Sequence, residues 1–181
     1  MKKAPALDRI DGLDKESGCV NVIIETPKGS HNKYKYDTKL ALFTLGGVLP
    51  AGAVFPFDFG FVPSTMGEDG DPLDVLVLLD ESVPTGCLVK ARLIGAIEAR
   101  QTEPGGRRVR NDRLLAVAVQ AHTHQHVRKP GDLQAKLLDE VEAFFSDYDA
   151  QRGKRFKPLR RSGPRRAMKL LAAGMAAWDA N

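Results

Sequence analysis

The chain has 181 residues, 43% hydrophobic and 28% charged, the balance of one folded domain rather than a disordered segment. No apolar run approaches the roughly 18 residues needed to cross a bilayer, and Met1-Lys2-Lys3-Ala4-Pro5 has no apolar stretch behind it as a secretory signal would. Two cysteines, Cys19 and Cys87, exclude a disulfide framework and a four-cysteine zinc site, so a reducing cytoplasm and no membrane partner are expected. The net charge of +4 is uneven. Residues 151–181 carry nine lysines and arginines against Asp179 alone, which makes them +8 and the remainder −4.

In chain order, residues 1–18 lack periodicity and read as an arm. Val20 to Glu25 is rich in β-branched residues and reads as a strand, broken at Pro27 and Gly29. Short strands are expected at Lys33 to Tyr36 and Ala41 to Thr44, and an aromatic-alternating segment at Val54 to Phe61. Asp74 to Leu79 is nearly continuous in apolar residues, so both faces should be covered. Leu88 to Ala99 and Leu114 to Val119 follow as strands, with a polar loop from Glu103 to Arg113 between them. The period then changes. Leu133, Leu137, Leu138, Val141, Phe144, Phe145 and Tyr148 have helical spacing behind an Asp132 N-cap. Pro164 opens a second helix through Ala167, Leu170, Leu171, Met175 and Trp178, with Arg152 to Arg166 as a basic loop between the two. The expected fold is α+β in one domain: an arm (1–18), a β-barrel (19–125), and two C-terminal helices with a basic loop (126–181).

The segment that carries chemistry is Asp69-Gly70-Asp71-Pro72-Leu73-Asp74, running into a strand. Gly70 and Pro72 bend the chain, so three carboxylates that would alternate can converge. Crowded carboxylates repel unless a cation or protons neutralise them, and hard divalent cations take oxygen ligands. A solvated turn is equally compatible with the segment taken alone. A second feature is Glu25-Thr26-Pro27-Lys28-Gly29-Ser30-His31-Asn32-Lys33-Tyr34, a strand-end carboxylate followed by a turn and lysines able to hold phosphate oxygens.

These two segments, Phe55-Pro56-Phe57-Asp58-Phe59-Gly60-Phe61, Asn111-Asp112-Arg113-Leu114-Leu115-Ala116-Val117, and Phe144-Phe145-x-x-Tyr148 with Gly153-Lys154 occur in series over roughly residues 20–157. In that order they resemble the soluble inorganic pyrophosphatases built on a small β-barrel. The resemblance implies a five-stranded, OB-like barrel, closed or partly open, with additional hairpins and two C-terminal helices. It also implies a homo-oligomer that hydrolyses pyrophosphate with several Mg²⁺ ions, Mn²⁺ or Zn²⁺ being substitutes. Asp69, Asp71 and Asp74 would be metal ligands, and Asp71 would also take a proton from the attacking water. Glu25 would hold metal-bound water, and Asn111 or Asp112 would be a further ligand. Lys33, Arg113, Tyr148 and Lys154 would bind phosphate.

The chain departs from the family pattern at Lys35 (usually Glu), Gly46 (in the region of an Arg), Phe59 (Tyr), Asn111 (Asp) and Asp149 (Lys). Glu103 is the one distant candidate for a second missing Asp. Asp112 would point away from its neighbours' face unless a bulge intervenes. These changes leave two alternatives beside pyrophosphate hydrolysis: action on another phosphoanhydride or phosphoester, or a non-catalytic phosphate-binding module. His122, His124 and His126 would share a strand face but are expected to form an exposed strand end, and both cysteines to be small core residues. The basic stretch has one aromatic, Phe156. A nucleic-acid site needs a broader stripe and stacking residues, so no nucleic-acid partner is expected.

Overall fold

The computed structural model describes residues 7–181. Residues 1–6 of the expected arm lie outside that range. The strands are β1 (Val20–Thr26), β2 (Asn32–Asp37), β3 (Leu42–Val48), β4 (Asp58–Val62), β5 (Leu73–Leu78), β6 (Leu88–Thr102), β7 (Arg108–Arg110), β8 (Arg113–Ala118) and β9 (Arg155–Ser162). The helices are α1 (Ala135–Ala150) and α2 (Pro164–Asp179).

Five strands close a ring in the order β1-β4-β5-β8-β6, with β6 pairing back onto β1. All neighbours are antiparallel except β5 and β8. Closure leaves the ring no free edge. The barrel core follows the β-branched and leucine runs: Val22 and Ile24, Val75 to Leu78, and Leu114 to Val117 are buried. Gly60 marks where β4 crosses β1, since a Cβ there would stand 2.1 Å from the Ile23 carbonyl oxygen. That close approach explains a glycine inside an otherwise aromatic strand.

β6 outruns the ring. Its far half is flanked by β7 on one side and β9 on the other. β2 and β3 form a separate hairpin. The two helices bury Leu138, Val141 and Phe145, and Ala167, Leu171 and Gly174. The described part of the arm lies on the barrel: the Ser64 hydroxyl donates to the Ile10 carbonyl (2.9 Å), the Asn21 amide donates to the Asp11 carbonyl (2.8 Å), and Leu13 bridges to Val20.

Four local expectations are corrected. The basic stretch expected as a loop contains β9, because Phe156 packs inward opposite Gln101 while its charged neighbours face out. The polar segment Glu103 to Arg113 includes β7, closed by a turn in which Glu103 donates its N–H to the Arg107 carbonyl. Asp132 does not cap α1; it accepts the N–H groups of Arg128 and Lys129 across a 3₁₀ turn, and α1 begins behind Gln134. The histidine segment is a turn and not a strand end, since Asp80 accepts the N–H groups of His122 and Thr123. Of the cysteines, both free, Cys87 packs at the core edge and Cys19 does not join it.

Candidate active site

The acidic turn is built by its backbone. Gly67 donates to the Asp71 carbonyl (2.8 Å), Gly70 to the Gly67 carbonyl (3.1 Å), and the Asp71 N–H to the Asp69 carboxylate (3.2 Å). Gly70 sits at φ +86°, a conformation that disfavours any side chain. Leu73 donates to the Thr65 hydroxyl, which fixes where β5 starts and so where Asp74 projects.

Three of the acids, Glu25, Asp71 and Asp74, each meet a cation from another element. Lys33 Nζ lies 2.8 Å from Glu25 Oε2 and 4.2 Å from the Phe59 ring centroid. Glu25 Oε1 also accepts the Tyr36 N–H at 3.0 Å, which ties β1 to the hairpin. Lys35 reaches Asp71 at 3.3 Å, both side chains being 59% exposed. Arg113 is the buried centre, its side chain 5% exposed, and donates to Asp74 and to the Asn111 carbonyl oxygen. Its guanidinium stands 5.0 Å from the Phe145 ring centroid and 5.5 Å from that of Phe156. The aromatic floor that α1 and β9 supply therefore orients the cation.

From Arg113 a polar chain runs across the inner face of β6. Asn111 Nδ2 donates to Gln101 Oε1 (2.9 Å), Gln101 Nε2 to Glu103 Oε1 (2.5 Å), and Glu103 pairs with Lys154 at 3.1 Å. Tyr148, half-buried on α1, accepts from Arg152. Asp149 is buried near Arg113 and Lys154, and its Oδ2 has no hydrogen-bond partner among the described residues.

Burial raises the carboxyl of Asp74 to about 6, despite Arg113 and Lys33 nearby, with Glu25 and Asp69 adding repulsion. Burial also raises Asp69 and Asp149. In each, burial outweighs the positive charge nearby. Among the described residues, no three His, Cys, Asp or Glu side chains are gathered closely enough to cage a metal ion as they stand.

The structure thus brings Glu25, Lys33, Asp69, Asp74, Asn111 and Arg113 to one wall, with Asp71 at its rim and Tyr148 and Lys154 on the α1 side. It does not bring Asp112 there. Asp112 accepts from Arg110 (2.8 Å) and from the Ala99 N–H (2.8 Å) on the opposite face, as strand alternation requires. Arg110 is likewise directed outward, paired with Glu98 and Asp112. Gln101 escaped the sequence reading. Its one signal was an inward position two residues from Ala99 on a strand whose other face is charged.

A family model described as inorganic pyrophosphatase matches residues 22–179. The inorganic pyrophosphatase of Synechocystis is 39% identical over 142 residues, 78% of this chain and 80% of that one. The Thermus thermophilus inorganic pyrophosphatase is 36% identical over 150 residues, 83% of each chain. A crystal structure of inorganic pyrophosphatase from Thermus thermophilus superposes with a TM-score of 0.86 at 31% identity, covering 96% of this chain and 99% of that one.

Proposed function

The chain belongs to the inorganic pyrophosphatase family, and from that premise we propose that it hydrolyses pyrophosphate to two phosphates at the wall around Asp69, Asp71 and Asp74, with Mg²⁺ as the working cation. The observation that carries the site assignment is the pairing of Glu25, Asp74 and Glu103 with Lys33, Arg113 and Lys154, beside the acidic turn. An anionic substrate and a divalent cation each find complementary groups there.

The donor set fits a hard cation by its chemistry. It is all oxygen, and its half-buried members Asp69 and Asp74 are raised by burial, a penalty that a bound cation would offset. When bound, the cations lower the pKa of the attacking water and neutralise phosphoryl charge. The chain supplies the rest. Asp71, exposed at the rim, accepts the water's proton once Lys35 releases it. Lys33, held by Glu25 and the Phe59 ring, and Arg113, held by its aromatic floor, position phosphate oxygens. Phosphoryl transfer depends on such positioning and electrostatics more than on covalent chemistry. Phe59 has no hydroxyl, so its part is to orient Lys33. We assign the whole of 1–181 to one catalytic domain in a cytoplasmic homo-oligomer.

No helix among the described residues is long and apolar enough to cross a membrane. The test is a substrate panel with Mg²⁺: pyrophosphate, a nucleoside triphosphate, a linear triphosphate and a phosphomonoester. Pyrophosphate is expected to give the highest kcat/KM by at least tenfold. A phosphomonoester or triphosphate in first place would assign the altered wall to another substrate.

A further inference from the structure

The outer face of the β7-β6-β9 sheet carries charge that the active site does not use. Antiparallel partners share a face. Arg100 of β6 is opposite Arg110 on one side and Lys157 on the other; Thr102 is opposite Arg108 and Arg155. The partners of the intervening position, Gln101, are the buried Val109 and Phe156. The cations therefore all face outward. Farther along the same face, Glu98 is opposite Arg160 and is covered by Arg110 and Arg166. Seven cations thus stand over Glu98 and Asp112, a local net charge of +5. Glu68, which accepts the Arg110 N–H, is an acid at the rim.

Like charges directly opposite one another destabilise a sheet. Arg100, Arg108, Arg155 and Lys157 are exposed and form no ion pair among the described residues. Their positive field is left for an external anion to offset. The sequence reading set a nucleic-acid partner aside because the basic stretch was narrow. Once that stretch is a strand in register with β6 and β7, it becomes one row of a two-dimensional array.

We infer that this face binds the phosphate backbone of duplex nucleic acid without reading its sequence. The array commits to that occupant by its shape. Rows on β7 and β9 are separated by two inter-strand steps, about 10 Å, which the long arginine and lysine side chains can open to the roughly 12 Å width of the major groove of B-DNA. Both backbones can therefore be engaged at once, whereas a single linear anion would use one row. No aromatic side chain lies among the outward positions, so base stacking is absent and single strands gain nothing over duplex.

The test is binding of a fluorescent 20-base-pair duplex by the full chain across a salt series. With about five phosphates neutralised, affinity should fall several hundredfold between 50 and 200 mM salt. The double variant Arg108→Glu, Lys157→Glu, one from each row, should lose at least tenfold in affinity at 50 mM and make the salt slope shallower by about two. Its rate of pyrophosphate hydrolysis should be unchanged, so failure here is distinguishable from failure of the catalytic reading. Lys39→Glu, on the remote hairpin turn, should bind as wild type. Absence of duplex binding at 50 mM salt, or equal binding by the double variant, would overturn the proposal. So would long-chain inorganic polyphosphate that binds when duplex cannot compete. A sedimenting mass that changes in the double variant would make the face a contact between copies and overturn it as well.

Discussion

Two ion clusters lie on opposite faces of the same sheet end, and their acids behave oppositely. Outside, Glu98 is 1% exposed. Burial alone would raise it, but hydrogen bonds from Arg160, Arg166 and Arg110 hold it at about 2. Inside, Asp74 has Arg113 and Lys33 near it and still stands at about 6, because burial and the neighbouring acids outweigh them. The outer cluster has cations in excess and is a structural brace with charge to spare. The inner cluster has acids in excess, the condition that a bound divalent cation would relieve.

The sharpest way to break this comparison is a crossed pair of isosteric changes. Asp74→Asn should lower the rate of phosphate release about a thousandfold, the scale of losing one electrostatic contact to the reacting groups. It should melt no lower than wild type, because burial penalises the charge at that position and the neutral amide removes that penalty. Glu98→Gln should do the reverse. It leaves three arginines without their buried counter-charge and should cost about 2–3 kcal/mol, discounted for the partial exposure of the arginines. That is a fall of roughly 5–10 °C in melting temperature by calorimetry, with hydrolysis at 25 °C unchanged. A rate loss in Glu98→Gln, or a large melting loss in Asp74→Asn, would remove the distinction.

The pH dependence sharpens it. Glu98 is depressed in the folded state, so its stabilisation is present above the ordinary glutamate value of 4.5 and is lost as pH falls through about 2. The gap in urea midpoint between wild type and Glu98→Gln should therefore narrow progressively from about pH 4.5 downward. A gap that stays constant to pH 2 would place the effect in packing.

How much of this was legible in the sequence depends on how local the cause was. β1, β5 and β8 were legible because β-branched runs that must be buried have few other fates. Both helices were legible from the spacing of Leu138, Val141 and Phe145 and of Ala167 and Leu171. β9 was not. Arg155-Phe156-Lys157-Pro158 offers one inward apolar residue, and its strand conformation comes from hydrogen bonding to β6, over fifty residues away. The histidine turn was hidden for the same reason, since Asp80 makes it from a distance. At the site, alternation already placed Asn111 and Asp112 on opposite faces. The pairing of Glu25, Asp71 and Asp74 with cations, and the chain through Gln101 to Glu103, needed the fold.

Two smaller effects test the geometry of the turn. Gly70→Ala should destabilise by about 1 kcal/mol, the cost of forcing a side chain to φ +86°, readable as a shift in urea midpoint. Lys35→Gln should change stability by less than about 0.5 kcal/mol, since an exposed pair contributes little. It should nonetheless lower the Mg²⁺ concentration needed for half-maximal rate, by freeing Asp71.

The most direct measurement is phosphate release from pyrophosphate with Mg²⁺ by wild type beside Asp71→Asn, with circular dichroism confirming that both are folded. Cation-dependent release by wild type, reduced at least about a thousandfold in the variant, is the expected result. Release by Asp71→Asn at the wild-type rate, or none from folded wild-type protein, would contradict the assignment of the acidic turn as the reacting site.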